Sequence, residues 1–192
     1  MRTTIRRPVT LRRTLFAPVK NAPATLVNAE ETTMKVEKAT ISLGPPITAP
    51  CLIPVLHAST PTCINEPFMV GGKPYPVTAL SFGSPHGAVF VDDVDSIDVE
   101  MLGSAIGTHD LFPEGASVVF VQVLGREGVI ARLWQRGKGE SPFTCEAACV
   151  AGTAAMMLQK VLSNEVNVFM GGHSYQVKWA RGGDGVSISA FA

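Results

Sequence analysis

A cysteine stands at the start of the most helix-prone segment of the chain, in the stretch QRGKGESPFTCEAACVAG, residues 135–152. Gly137 and Gly139, upstream of Cys145, mark a turn, and alanines after the cysteine favour a helix. Thiols at helix N-termini are often reactive, because backbone N–H groups and the helix dipole stabilise the thiolate. The segment therefore predicts either a thiol used as an acid, base or nucleophile, or a site of that kind whose chemistry has been lost.

The other residue types that could carry chemistry favour structural roles. His86 and His109 are predicted to form structural hydrogen bonds at strand and helix ends. The sequence has neither HExxH nor paired CxxC spacing, so we expect no metal site. It has no Walker loop and no GxGxxG, so nucleotide binding has no support. The acidic run VDDVDSIDVE indicates a solvated, helix-capping face, because the spacing and glycine of an EF-hand are missing.

Length and composition indicate one globular domain with an arm. The chain has 192 residues, of which 46% are hydrophobic, enough to bury one core. Its longest apolar runs are shorter than the roughly 18 residues that a membrane-spanning helix needs. The aliphatic content argues against a disulfide framework, so the four cysteines are predicted to be reduced. We interpret Cys51 and Cys63 as structural or incidental, and expect Cys149 to face the core.

The balanced net charge conceals a basic N-terminal arm, assigned to residues 1–32, ahead of a domain over 33–192. Residues 1–29 contain six basic residues and no acid, so ten basic residues oppose sixteen acidic ones in the rest. The arm is interpreted as a mitochondrial targeting segment, a solvated tail, or an RNA-contacting arm. A mitochondrial location is expected, otherwise a cytoplasmic one. The arginines predicted to contact RNA or a partner are Arg2, Arg6, Arg7, Arg12 and Arg13.

Hydrophobic periodicity predicts an α+β domain with a curled mixed or antiparallel sheet around one central apolar helix. A first helix is predicted over 97–109, with Asp95 and Ser96 as possible N-caps. The second helix, over 145–162, is apolar nearly all round and should be wrapped by sheet. The predicted strands cover 33–43, 51–56, 75–82, 86–92, 116–124, 128–135, 165–170, 173–180 and 185–190, and the turn GREG marks a hairpin.

Four motifs occur in a familiar order: GSPHGAVFVDD, GTHDLFPEGASVVFVQV, QRGKGES and the cysteine-led helix. In order and spacing they resemble the C-terminal half of the diaminopimelate epimerase family, the PLP-independent amino-acid epimerases and racemases. The resemblance covers about residues 35–192. It implies a single domain of that fold, no cofactor, and a mechanism in which one cysteine thiolate removes the α-proton while an opposing thiol delivers another.

Carried over residue by residue, the resemblance is uneven. Cys145 falls on the second-domain thiol, and Arg136 falls on an arginine of the substrate cradle. The remaining substrate-binding positions are altered: Ser84 and Ser117 replace asparagines, Gln135 replaces a glutamate, and Glu146 replaces a glycine after the thiol. The loop before Cys145 is also one residue longer than the family pattern. Glu146 would occupy the helix N-terminus that an incoming carboxylate needs.

These departures lead to a hypothesis of a catalytically degenerate protein that serves as a structural or binding subunit of a larger assembly, for example a mitochondrial ribosome. The family's first half supplies the opposing thiol, and nothing in residues 1–34 matches it. Partner chains are expected on the face that this half would cover. Two alternatives stay open: an amino-acid epimerase or racemase, an isomerase, working with a second chain, and an RNA-contacting module acting through the arm.

Overall fold

The computed structural model describes residues 39–56, 61–126, 128–180 and 185–190. All of them fall within one structural unit, Val36–Ala192. The arm and its five arginines, Arg2, Arg6, Arg7, Arg12 and Arg13, lie outside the described residues. None of the helices in the described part of the chain has both the length and the apolarity to cross a bilayer.

Two α-helices and ten strands make up the described fold. The strands are β1 (Ala39–Gly44), β2 (Glu66–Val70), β3 (Lys73–Ser81), β4 (Pro85–Phe90), β5 (Ser117–Val123), β6 (Gly128–Gln135), β7 (Gly139–Ser141), β8 (Glu165–Met170), β9 (His173–Ala180) and β10 (Gly185–Ala190). The helices are α1 (Val99–Gly107) and α2 (Cys145–Met157), and a 3-10 helix covers Pro50–Leu52.

All ten strands join one mixed sheet in the order β1-β10-β9-β8-β6-β5-β4-β3-β2, with β7 paired to the end of β6. The pairs β4–β5 and β6–β8 are parallel, and the other pairs are antiparallel. The first and last strands of the described chain are neighbours, and the Oγ atoms of Thr40 and Ser189 lie 2.9 Å apart. The predicted mixed sheet is confirmed.

Helix α2 lies inside the curl of the sheet. Seven strands, β3 to β6 and β8 to β10, contact it, and its residues from Ala147 to Met156 are buried. A Cβ atom on Gly152 would come within 3.0 Å of the side chains of Val166 and Val177. Small residues therefore allow the sheet to approach the helix closely, and the predicted central apolar helix is confirmed.

Helix α1 covers part of the outer face of the sheet. Strand β5 is buried on both faces: Val119 and Val121 pack in the α2 core, whereas Val118 and Phe120 pack in the α1 core. This explains why the strand is a continuous apolar run instead of an alternating one.

The prediction of a strand over residues 51–56 is wrong. Pro50 and Pro54 lack the N–H groups that a strand would pair. The N–H groups of Ile53 and Val55 instead donate to the carbonyl of Pro50, at 3.2 and 3.0 Å. The bond from Ile53 closes a 3-10 turn, and the bond from Val55 spans five residues and extends that turn. Two short strands were not predicted: β2, an edge strand that contains Pro67, and the three-residue β7.

Both predicted helices are shorter than expected. Asp98, and not Asp95 or Ser96, caps α1, because its carboxylate accepts the N–H of Met101. Helix α2 stops at Met157 because Gln159 adopts a φ of 54° in the left-handed region. The N–H of Lys160 then bonds back to the carbonyl of Ala155.

Candidate functional site

Cys145 is the first residue of α2, as predicted, and its side chain is half-buried. The preceding residue, Thr144, has extended backbone geometry, and its Oγ1 accepts the N–H of Ala147 at 3.0 Å. This cap satisfies one of the free N–H groups of the first turn. The sequence analysis did not single out Thr144, although threonine directly before a helix is a recognisable N-cap signal.

Glu146 points toward the turn between β3 and β4. Its Oε2 accepts a hydrogen bond from the Ser84 hydroxyl, with 2.5 Å between the oxygens. Its Oε1 would lie 3.1 Å from a Cβ atom built on Gly83, which has a φ of 129°. Glycine at position 83 therefore leaves room for the carboxylate. The structure brings together two of the predicted substrate-binding positions, Ser84 and Glu146, and joins them to each other.

A second group of predicted residues lies along the same end of the sheet. Ser117 is opposite His86 across the parallel β4–β5 pair, and its hydroxyl accepts the backbone N–H of Arg136 at 3.2 Å. The Arg136 guanidinium donates to the carbonyls of Glu114 and Gly115, at 2.6 and 3.0 Å. Arg136 thus holds the loop before β5 in this arrangement.

Gln135, the last residue of β6, lies opposite Gly139 of β7. Its carbonyl accepts the N–H of Lys138, so its backbone closes the turn between the two strands. The position places it next to Arg136 at the same end of the sheet. The roles assigned to Cys145, Arg136, Ser84, Ser117, Gln135 and Glu146 stay predictions.

His86 is buried beneath these residues. Its Nδ1 lies 2.9 Å from the carbonyl of Ser84, to which an Nδ1–H group would donate. Burial lowers the pKa of His86, although the bond to Ser84 and the negative charge of Glu146 oppose that shift; the charge of Arg136 lowers the pKa further. His86 is therefore a neutral structural group near pH 7, in accordance with its predicted role.

The loop before Cys145, which contains Pro142 and Phe143, packs against the β8–β9 hairpin. The ring of Phe143 stacks on that of Tyr175, with centroids 4.2 Å apart and an interplanar angle of 11°. A Cβ atom on Gly171 would lie 2.6 Å from the carbonyl oxygen of Pro142. Phe143, Cys145 and Tyr175 all pack against the α2 core. The loop is thus a packed part of the fold.

The other three cysteines occupy different environments. Burial raises the pKa of Cys149 to about 12, with smaller contributions from Cys145 and Glu146. Burial likewise raises the pKa of Cys63 to about 11. Cys149 faces the core, as predicted, and Cys51 is exposed on the 3-10 helix. Within the described ranges, no three His, Cys, Asp or Glu side chains are grouped as a metal ion would require.

Thiol accessibility gives a first prediction. In the native protein, Ellman's reagent should modify Cys51 quickly and Cys145 more slowly, whereas Cys63 and Cys149 should react only after unfolding, because they are buried and protonated. The measurement is a time course in native buffer and in denaturant, with Cys51→Ser and Cys145→Ser used to assign the phases. Rapid modification of a third thiol in native buffer would contradict this assignment.

The bond between Ser84 and Glu146 should contribute to stability. Hydrogen bonds to charged groups contribute about 1.5–3 kcal/mol, so Glu146→Ala should lower the free energy of unfolding by about that amount. Ser84→Ala should have little further effect in the Glu146→Ala background, giving a coupling energy of about 1 kcal/mol or more. Urea unfolding of both single variants and the double variant measures this coupling. Additive single effects would show that the two side chains do not interact.

Buried His86 should make stability depend on pH. Since its pKa is lowered in the folded state, the unfolded chain binds the extra proton near the ordinary histidine pKa of about 6.5. The contribution of His86 to the free energy of unfolding is fully present above that pH. It is lost as the pH falls below it. The slope between about pH 6.5 and 5 should decrease in His86→Gln and persist in His173→Gln, a control at an exposed histidine. Unfolding midpoints at each pH test this expectation.

Comparison with known proteins bears on the motifs that meet at this site. The family profile described as diaminopimelate epimerase matches residues 78–189, more than half of the chain. The diaminopimelate epimerase of Leptospira biflexa is 34% identical over 149 residues, which are 78% of this chain and 53% of that protein. That of Oceanobacillus iheyensis is 36% identical over 146 residues, 76% of this chain and 51% of that protein.

The chain thus spans about half the length of the curated relatives it matches. Among solved structures, a probable proline racemase from Agrobacterium radiobacter aligns with a TM-score of 0.47 at 12% identity, covering 81% of this chain and 51% of that one. The resemblance that the sequence motifs indicated is confirmed by the profile match. With more than half of its residues inside that profile, the chain belongs to the diaminopimelate epimerase family.

Proposed function

We propose that this chain is a non-catalytic member of its family that acts as a binding or structural subunit of a larger assembly. The observation that carries the proposal is the position of the Glu146 carboxylate. It lies at the N-terminus of α2, held by the hydroxyl of Ser84. A negative charge of the protein itself therefore lies in the first turn of the helix, where it would oppose the binding of a carboxylate ligand.

The electrostatics of the helix terminus support this proposal. Free N–H groups and the positive end of the dipole attract one anion to the first turn. Thr144 already accepts the N–H of Ala147, and Glu146 supplies the negative charge. A second carboxylate would have to displace Glu146 or lie beside it, and like charges at close range repel each other.

Two of the other cysteines are unsuited to act as an opposing thiol. The mechanism that the resemblance implies needs a second thiol facing Cys145 across the ligand. Cys149 follows Cys145 by four residues on the same helix, so it cannot face it across a bound molecule. Burial also keeps the thiols of Cys149 and Cys63 protonated, because their pKa values are raised to about 12 and about 11.

Exposed apolar side chains near the site support a role in an assembly. Leu52 and Leu56 are 66% and 62% exposed. Both lie in the segment that begins with Ile47, which pairs with Ser81 at the end of β3, two residues before Gly83. The backbone of Leu56 is tied to that of Leu111 in the loop before β5. Apolar side chains grouped at one end of a domain favour contact with another protein surface.

One observation favours a second candidate function, an active amino-acid epimerase or racemase that works with another chain. Cys145 is half-buried and not sealed in the core, and Arg136 is exposed at the same end of the sheet. A partner that brought an opposing thiol to this end could complete a two-base site. The ligand would then have to displace Glu146 from the helix terminus.

Hydrogen exchange at carbon separates the two candidates. In heavy water the protein should cause no incorporation of deuterium at the α-carbon of diaminopimelate, proline or histidine above the level of Cys145→Ser, because the helix terminus is occupied and one thiol is insufficient. Proton NMR measures the loss of the α-proton signal, for the isolated chain and for the complex purified natively with it. Exchange that depends on Cys145 in either sample would overturn the non-catalytic assignment.

A further inference from the structure

A groove lined by both polar and apolar side chains lies at the opposite end of the sheet from Cys145. It has a volume of about 490 Å³ and lies between the start of β3, the end of β4 and the first turns of α1. Tyr75 and Val89 line the sheet side, and Ile97, Met101 and Leu102 line the helix side. Met101 is 67% exposed although its neighbour Leu102 is buried in the α1 core. The groove therefore exposes the flexible thioether of Met101 next to a side chain that is fixed in the core.

Acidic side chains border one side of this groove. Asp92, Asp93 and Asp98 line it, and all three are exposed. Asp98 is engaged as the N-cap of α1, and an oxygen of Asp93 accepts the N–H of Asp95. The facing positive charge is Lys73, at the start of β3. The acids outnumber the base, so the rim attracts cations.

Lys73 lies along the aromatic wall of the groove. Its ammonium nitrogen lies 5.1 Å from the centroid of the Tyr75 ring, within the range of a cation–π contact. A positive group thus already lies against the aromatic wall, with its aliphatic stem along the apolar surface. Because Lys73 occupies the Tyr75 ring, the cations of a partner would contact Asp92 and Asp93 instead.

We propose that this groove, bounded by Tyr75, Met101 and the carboxylates of Asp92 and Asp93, is a docking site for a basic peptide segment in which arginine or lysine alternates with apolar residues. The apolar side chains of the peptide contact Met101 and Ile97. The cations face Asp92 and Asp93. The site is separate from the one at Cys145, so it does not depend on whether the family chemistry is retained.

Binding of two synthetic peptides to the full chain tests this proposal. A fluorescein-labelled peptide of four Arg-Leu repeats should bind saturably in fluorescence anisotropy. A peptide of four Arg-Ser repeats, with the same charge, should bind at least about fivefold more weakly, because it buries less apolar surface. Increasing salt should weaken both, since the rim contacts are exposed to solvent.

Variants locate the binding site. Asp92→Asn/Asp93→Asn should raise the Kd of the Arg-Leu peptide about five- to tenfold, because each exposed ion pair contributes modestly to affinity. Asparagine keeps the oxygen that accepts the N–H of Asp95. Met101→Gln should raise the Kd about threefold or more through lost apolar contact. The control Asp110→Asn/Glu114→Gln makes the same change in net charge at the other end of the sheet and should stay within about twofold of wild type.

Three outcomes would overturn the proposal. Absence of saturable binding by the Arg-Leu peptide overturns the proposal, as does an equal loss of affinity in the control variant. Equal binding of the two peptides with no effect of Met101→Gln also overturns it, because it would reveal attraction by charge alone. Circular dichroism of each variant verifies the fold; if Met101→Gln is misfolded, Met101→Ser replaces it in the same comparison.

Discussion

Close packing between α2 and the sheet is the constraint on which the other features depend. Ten of the thirteen residues of the helix are buried, and most of them are small. At Gly152 the side chains of Val166 and Val177 approach so closely that a methyl group would not fit without movement. Interiors at this density transmit a change in one element to its neighbours. The N-terminus of α2 is therefore fixed relative to the β3–β4 turn and the β8–β9 hairpin.

That fixed position determines which groups surround Cys145. A helix end brought to the surface by a packed core presents oriented N–H groups to whatever lies in front of them. Glu146 follows the thiol in the first turn of the helix, and Ser84 holds its carboxylate from the neighbouring turn. On the proposal that the chain is non-catalytic, this carboxylate takes the position of an anionic ligand. Fold and site chemistry can diverge in this way, because packing and ligand contacts involve different residues.

Periodicity and composition predicted most of the framework. The central helix was identified by its unbroken apolar composition, and the strands from β8 to β10 by alternation bounded by glycine pairs. The prediction failed at residues 51–56, where apolar residues resembled a strand. Pro50 and Pro54 have no N–H groups to pair with a neighbouring strand, so this segment forms a turn instead. It also failed at the caps of α1, because several acids in succession could each have begun the helix.

The site was less predictable than the fold. The position of Cys145 at the start of α2 followed from the local sequence, since a thiol before an alanine-rich run marks a helix start. The contact between Glu146 and Ser84 joins residues 62 positions apart, so only the packed sheet reveals it. The same holds for the stacking of Phe143 on Tyr175, which accommodates the longer loop. Motif comparison could identify altered positions, but it could not indicate which of them touch.

The pairing of β1 with β10 bears on how the chain reaches its native state. These strands come from opposite ends of the described sequence, and the hydroxyl contact between Thr40 and Ser189 spans 149 positions. Bringing such distant segments together carries a large loop-closure entropy, and topologies of this kind fold slowly. During synthesis the first strand must wait for the last to leave the ribosome. Until then the unpaired backbone groups of β1 and the apolar side chains around α2 are exposed. In that state they can bind chaperones or aggregate.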